Sequence, residues 1–184
     1  MEFRSAIKNL PKWQRVLGSE RKSPSFGSNG LDGGNQKVTQ RWAAAKGRLG
    51  GASLMEKVKE VNKFFNVWPY KTDQEVWGVE DYWATPKEFV RKSGDCEDFA
   101  ISKYYALRDL GVPASSMRIV ALKDTIRNLG HAVLVVYTQN DAYILDNLSN
   151  MVLSHKKLPH YAPQYSVNEE FLWRHVKPKA TPGK

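Results

Sequence analysis

Between residues 53 and 111 the hydrophobic positions recur at helical spacing. After residue 113 they give way to short apolar runs separated by turn-forming residues. Leu54, Val58, Val61 and Phe65 share one helical face behind Ser53, whose spacing to Glu56 is that of a capping box. Thr85 precedes Pro86, with Glu88 three positions on, which predicts a short helix over 86–91. A further helix begins at Cys96. Asp95 and Asp98 have capping spacing, Ala100, Tyr104 and Leu107 keep the period, and Leu110-Gly111-Val112-Pro113 ends it. Upstream, residues 38–49 predict a helix with Trp42 on its face. Phe3, Ile7, Leu10, Trp13 and Leu17 predict another over 3–17, interrupted by Pro11, and the Gly-, Ser- and Asn-rich 18–35 read as a linker. Residues 76–86 are dense in aromatics and carry no clear period. Downstream, 117–122, 131–138 and 142–146 read as strands, with Gln139-Asn140-Asp141 a hairpin connection and 165–167 a last strand before an apolar anchor at Phe171-Leu172-Trp173. Helices followed by an antiparallel sheet define an α+β fold.

The chain has 184 residues, 41% of them hydrophobic and 11% aromatic, enough for one substantial core. No apolar run approaches the ~18 residues of a membrane helix, and no hydrophobic signal segment is read in it. The net charge of +9 is unevenly spread. Residues 1–50 hold 10 Lys and Arg against 3 Asp and Glu, and residues 151–184 hold 6 against 2, while the middle holds 12 against 14. Basic ends on a slightly acidic middle read as solvated arms rather than a phosphate track, so nucleic acid is not an expected partner; a membrane surface or an acidic partner stays open for them. The division expected is a basic helical and linker segment over 1–50 and a domain over 51–184.

The single cysteine excludes an internal disulfide and a multi-cysteine metal site. Cys96 stands where a helix N-terminus favours thiolate, but Asp95, Glu97 and Asp98 oppose ionisation, so the site needs a histidine cation or a metal. Strand pairing across 139–141 sets His131 roughly opposite 146–148, which brings Asp146 to the imidazole. Cys96, His131 and Asp146 then form a triad of nucleophile, acid/base and orienter. The competing reading, a buried cysteine with an unrelated His and Asp, is weakened by the charges around Cys96 and by the hairpin arithmetic. His155, His160 and His175 sit in polar, irregular sequence and read as surface residues. An oxyanion hole would combine the Cys96 amide with one donor from Asn66, Trp77, Tyr82 or Trp83.

Gly94-Asp-Cys-Glu-Asp-Phe-Ala, Leu107-Arg-Asp-Leu-Gly-Val-Pro113, His131-Ala-Val-Leu and Leu145-Asp-Asn147, with Val79-Glu-Asp-Tyr-Trp-Ala-Thr-Pro86 ahead of them, resemble the bacterial transglutaminase-like cysteine proteinases, the family that includes the LapG-type adhesin-releasing proteases. The resemblance covers about residues 54–173. It implies a papain/transglutaminase-like core with Cys96, His131 and Asp146 catalytic, and a calcium ion held by Asp95 and Glu97 with Asp98 as a third ligand. It also implies a periplasmic endopeptidase that cuts a large surface adhesin near its N-terminus under the control of an inner-membrane cyclic di-GMP receptor. The calcium reading has physical support, since three carboxylates in four residues supply part of the six to eight oxygens calcium takes. The alternative for these acids is capping by Asp95 and Asp98 with Glu97 solvated. Two other functions stay open: a transglutaminase-type acyltransferase, and a non-catalytic binding module.

Overall fold

The computed structural model describes residues 2–7, 10–28, 30–33 and 35–176. Six helices and a seven-stranded antiparallel sheet make up its core: β1 (Glu2–Ala6), α1 (Pro11–Lys22), a two-stranded hairpin β2 (Phe26–Gly27) and β3 (Gly30–Leu31), α2 (Gln36–Leu49), α3 (Leu54–Phe65), α4 (Asp73–Trp77), α5 (Pro86–Lys92), α6 (Cys96–Asp109), then β4 (Met117–Asp124), β5 (Leu129–Tyr137), β6 (Ala142–Asp146), β7 (Ser149–Ser154), β8 (Tyr161–Val167) and β9 (Phe171–His175). The sheet order is β1-β9-β8-β4-β5-β6-β7. Among the described residues, no helix is long and apolar enough to cross a membrane.

Alternation along the central strands fills two cores. Met117, Ile119, Leu134, Val136 and Leu145 face the helices, where they join Trp13, Trp42, Phe65, Phe89, Tyr104 and Leu107. Val120, Leu122, Val133, Val135, Ala142 and Ile144 form a second cluster on the opposite face, under Leu158 and Tyr161. Both faces of β4 and β5 are covered, which is why these strands read as nearly continuous apolar runs rather than as alternating ones.

The capping boxes at Ser53 and Thr85 form as the sequence predicts. So does the helix that opens at Cys96. Four segments differ from expectation. Residues 2–6 are a strand paired with β9, not the start of a helix. Pro11 begins α1 instead of interrupting it, because a proline in the first turn forfeits an N–H that has no partner there anyway. The supposed linker 18–35 holds the end of α1 and the β2–β3 hairpin. Glu20 fastens that hairpin by accepting the Ser25 amide and hydroxyl at 2.8 and 2.5 Å, and Leu31 is fully buried beside it. The stretch after Ser149 is also regular: β7 pairs with β6, and the apolar anchor at 171–173 is the strand β9. Trp13 and Trp42 thus bring the N-terminal helices into the same core as α6. The basic residues after 176 lie outside the described residues.

Candidate active site

Helix α6 carries Cys96 at its first position against the sheet. The approach is set by Gly94, where a Cβ would fall 2.0 Å from Asp98 Oδ2, so no other residue fits without moving that carboxylate. Asp98 itself is fully buried. Its Oδ1 accepts the Ala84 amide at 2.6 Å and its Oδ2 the Asp95 amide at 3.3 Å, which pins the entry to α5 onto the cysteine turn. Cys96 is half-buried. Its thiol donates to Glu97 Oε2 at 3.1 Å. The backbone of Ala132, the residue after His131, acts on the sulfur in favour of the thiolate. Burial, the charge and hydrogen bond of Glu97, and the charge of Asp95 together drive the thiol far above its ordinary value, against the pull of the Ala132 backbone.

On the neighbouring strands His131 and Asp146 meet as the hairpin register requires. Leu134 pairs with Leu145. His131 Nε2 lies 2.9 Å from Asp146 Oδ1, with both residues buried. That contact leaves Nδ1 as the ring nitrogen turned away from the carboxylate. Oδ1 also accepts the Leu148 amide at 3.0 Å, and Oδ2 accepts the Tyr161 hydroxyl at 2.6 Å. Burial pushes the Asp146 carboxyl up. The bonds from His131, Tyr161 and Leu148 outweigh that effect and hold it below the ordinary carboxylate value. From α6, fully buried Lys103 faces the same carboxylate. Its ammonium has no hydrogen-bond partner among the described residues, and burial draws it down to about 7 despite the Asp146 charge.

The acids beside the cysteine are arranged otherwise. Carboxylate oxygens of Asp73, Asp95 and Asp98 lie within 4.8 Å of one another, as do those of Asp73, Asp81 and Glu97, and Glu97 and Asp95 also group with the sulfur. Burial first, and then the charges of neighbouring acids, raise Asp73, Asp95 and Asp98 above ordinary carboxylates. One oxygen each of Asp73 and Asp95 is buried with no hydrogen-bond partner among the described residues. Orphaned, crowded, hard oxygen donors are what a calcium ion would satisfy, so the residues present fit that ion. Asp73 was not a sequence candidate. The Thr72-x-x-Glu75 capping box places it only at the first turn of α4 and carries no sign of the acid cluster.

The oxyanion candidates separate. Asn66 donates to the carbonyls of Asp146 and Ser149, and Trp83 is buried against Trp13. Tyr82 gives its hydroxyl to Glu88. Trp77 keeps a buried Nε1 with no partner among the described residues. Two further phenols respond to the charge at Cys96: burial and the Cys96 charge raise Tyr70, and burial with the charges of Glu97, Asp81 and Cys96 raises Tyr165 to about 12. Of the other histidines only His155 is exposed; His160 packs edge-on to Tyr161 at 4.7 Å, and His175 bonds Ser166 Oγ at 2.9 Å.

Residues 36–181 match the family described as the bacterial transglutaminase-like cysteine proteinases. The chain belongs to that family. It is a cysteine protease with a transglutaminase-like α+β fold. Three solved structures of Legionella pneumophila LapG resemble it. One is 32% identical with a TM-score of 0.69, covering 88% of this chain and 86% of that one. The EGTA-treated form is 31% identical with a TM-score of 0.71, covering 91% and 87%. The calcium-bound form is 31% identical with a TM-score of 0.69, covering 91% and 93%. A search of curated proteins finds no match.

Proposed function

We propose that this protease is a calcium-dependent endopeptidase in which Cys96 is the nucleophile, His131 the acid and base, and Asp146 the orienter. The observation that carries the proposal is the 2.9 Å bond from Asp146 to His131 Nε2, on a strand that packs against the helix opening at Cys96. With Nε2 engaged, Nδ1 takes the thiol proton as the sulfur attacks a peptide carbonyl. It returns that proton to the leaving amine, and water then releases the acyl-enzyme by the same route. The Cys96 amide at the tip of α6 stabilises the oxyanion with one further donor, for which Trp77 keeps a buried Nε1 that has no partner among the described residues.

Asp95, Glu97 and Asp98, joined by Asp73 and Asp81, would hold the calcium. A bound cation would offset the charge that opposes ionisation of the thiol. The calcium-bound and EGTA-treated forms of Legionella pneumophila LapG support this reading for a chain about a third identical to it. We place the enzyme in the periplasm, with a large surface adhesin as substrate and an inner-membrane cyclic di-GMP receptor as its regulator. The family resemblance supports these three assignments. The test compares proteins released from the surface of wild-type cells with those from a Cys96→Ala strain, and incubates the purified enzyme with the released species, calcium and an amine donor. Loss of one large released fragment in the variant, and cleavage in vitro, are expected. Identical release profiles would remove the adhesin role, and amine incorporation without cleavage would replace hydrolysis by acyl transfer.

A further inference from the structure

Asp146 is buried, yet both its oxygens are engaged, and the partner of Oδ2 lies outside the proposed triad. That partner is Tyr161, the first residue of β8, two strands away from β5 in the sheet. Its register partner on β4 is Asp124, two rows beyond the one where Leu122 pairs with His131. From there its ring stands edge-on to the His131 imidazole, with centroids 5.8 Å apart and planes at 70°, while its hydroxyl reaches 2.6 Å from Oδ2.

We infer that the Tyr161 hydroxyl is a positioning group, which fixes the Asp146 carboxylate and through it the orientation and tautomer of His131. The inference rests on the assignment of His131 and Asp146 made above. Its physical basis is geometric. A carboxylate can rotate about its Cβ–Cγ bond and offer either oxygen to the imidazole. With Tyr161 on Oδ2 and Leu148 on Oδ1, only one rotation satisfies every donor. Removing the hydroxyl leaves Oδ2 buried and unpaired, so the carboxylate gains freedom and the imidazole loses its single seat. Burial and the Asp146 bond raise the phenol far above its ordinary value, so it remains a donor wherever the protein is folded. The charged groups that face this cluster are Lys103 from α6 and Asp124 and Arg127 from the β4–β5 turn, and none of them takes over the contact to Oδ2.

The test uses the full chain, calcium-loaded and labelled with 15N-histidine, in wild-type, Tyr161→Phe, Tyr161→Leu and His131→Ala forms. Long-range 1H–15N spectra read the His131 tautomer, and iodoacetamide alkylation of Cys96 from pH 6 to 8 reads reactivity without a protein substrate. In the wild type the His131 proton should reside on Nε2. In Y161F the tautomers should mix and alkylation should slow about tenfold, the loss expected for one hydrogen bond to a charged group, at unchanged far-UV circular dichroism. A Y161F protein with the wild-type tautomer and rate overturns the inference, and so does slowing seen only in Y161L, which would assign the effect to the ring. H131A separates the two levels: if it alkylates as fast as wild type, the triad assignment fails, whereas slow H131A beside unaltered Y161F removes Tyr161 alone.

Discussion

Asp146 and the clustered Asp73, Asp95 and Asp98 are all shielded from solvent in part or in full, but they stand on opposite sides of the ordinary carboxylate value. Asp146 is lowered because three donors converge on it and outweigh its burial, whereas Asp73, Asp95 and Asp98 are raised by burial first and then by the charges of other acids. Burial is common to both regions, so the partners decide the sign. The first region is complete from this chain's own atoms. The second carries two buried oxygens that have no partner among the described residues.

The largest effect expected from breaking the first region is catalytic. His131→Ala or Asp146→Asn should lower kcat/KM by on the order of 10³-fold or more, with the calcium response of the melting temperature unchanged. Proteolysis assays paired with thermal melts check both halves. The second region should answer to metal. Calcium at about a hundred times its dissociation constant should stabilise the fold by ~2.7 kcal/mol, raising Tm by about 5–10 °C. EGTA should reverse that and abolish activity, and an enzyme indifferent to chelator would end the calcium reading.

Lys103 sharpens the comparison, as the unpaired cation behind the well-partnered carboxylate. Its proton leaves near 7 in the folded state and near 10.5 in the unfolded one, so the unfolded chain holds the extra proton between these values. Its contribution to stability therefore increases as pH rises through that window. Lys103→Met should stabilise the protein by about 1–3 kcal/mol near neutral pH and flatten that slope, as Tm measured at pH 7 and pH 9 would show. The smallest effect belongs to Asp95→Asn. The raised acids favour the fold below about pH 4 and lose that advantage as pH rises through their folded values. Asparagine spares the fold the uptake of a proton by a carboxyl that is ionised in the unfolded chain at pH 7, so the calcium-free Tm should rise by about 2–4 °C while the calcium response shrinks.

Local chemistry accounts for what the sequence determined. The boxes at Ser53 and Thr85, the glycine before Cys96 and the apolar strands after 113 are each set by neighbours a few residues away, and together they define an α+β protein with its cysteine at a helix tip. The two-fold period of paired strands even carried His131 to Asp146. Elements whose stability comes from distant partners could not be read in that way. β1 is exposed along its whole length and is a strand only because β9 lies beside it. The β2–β3 hairpin is held by a buried carboxylate and a core leucine. Tertiary structure alone brought Asp73 to the acid cluster, Lys103 behind Asp146 and Tyr161 onto its second oxygen, because no short-range period relates residues so far apart in the chain.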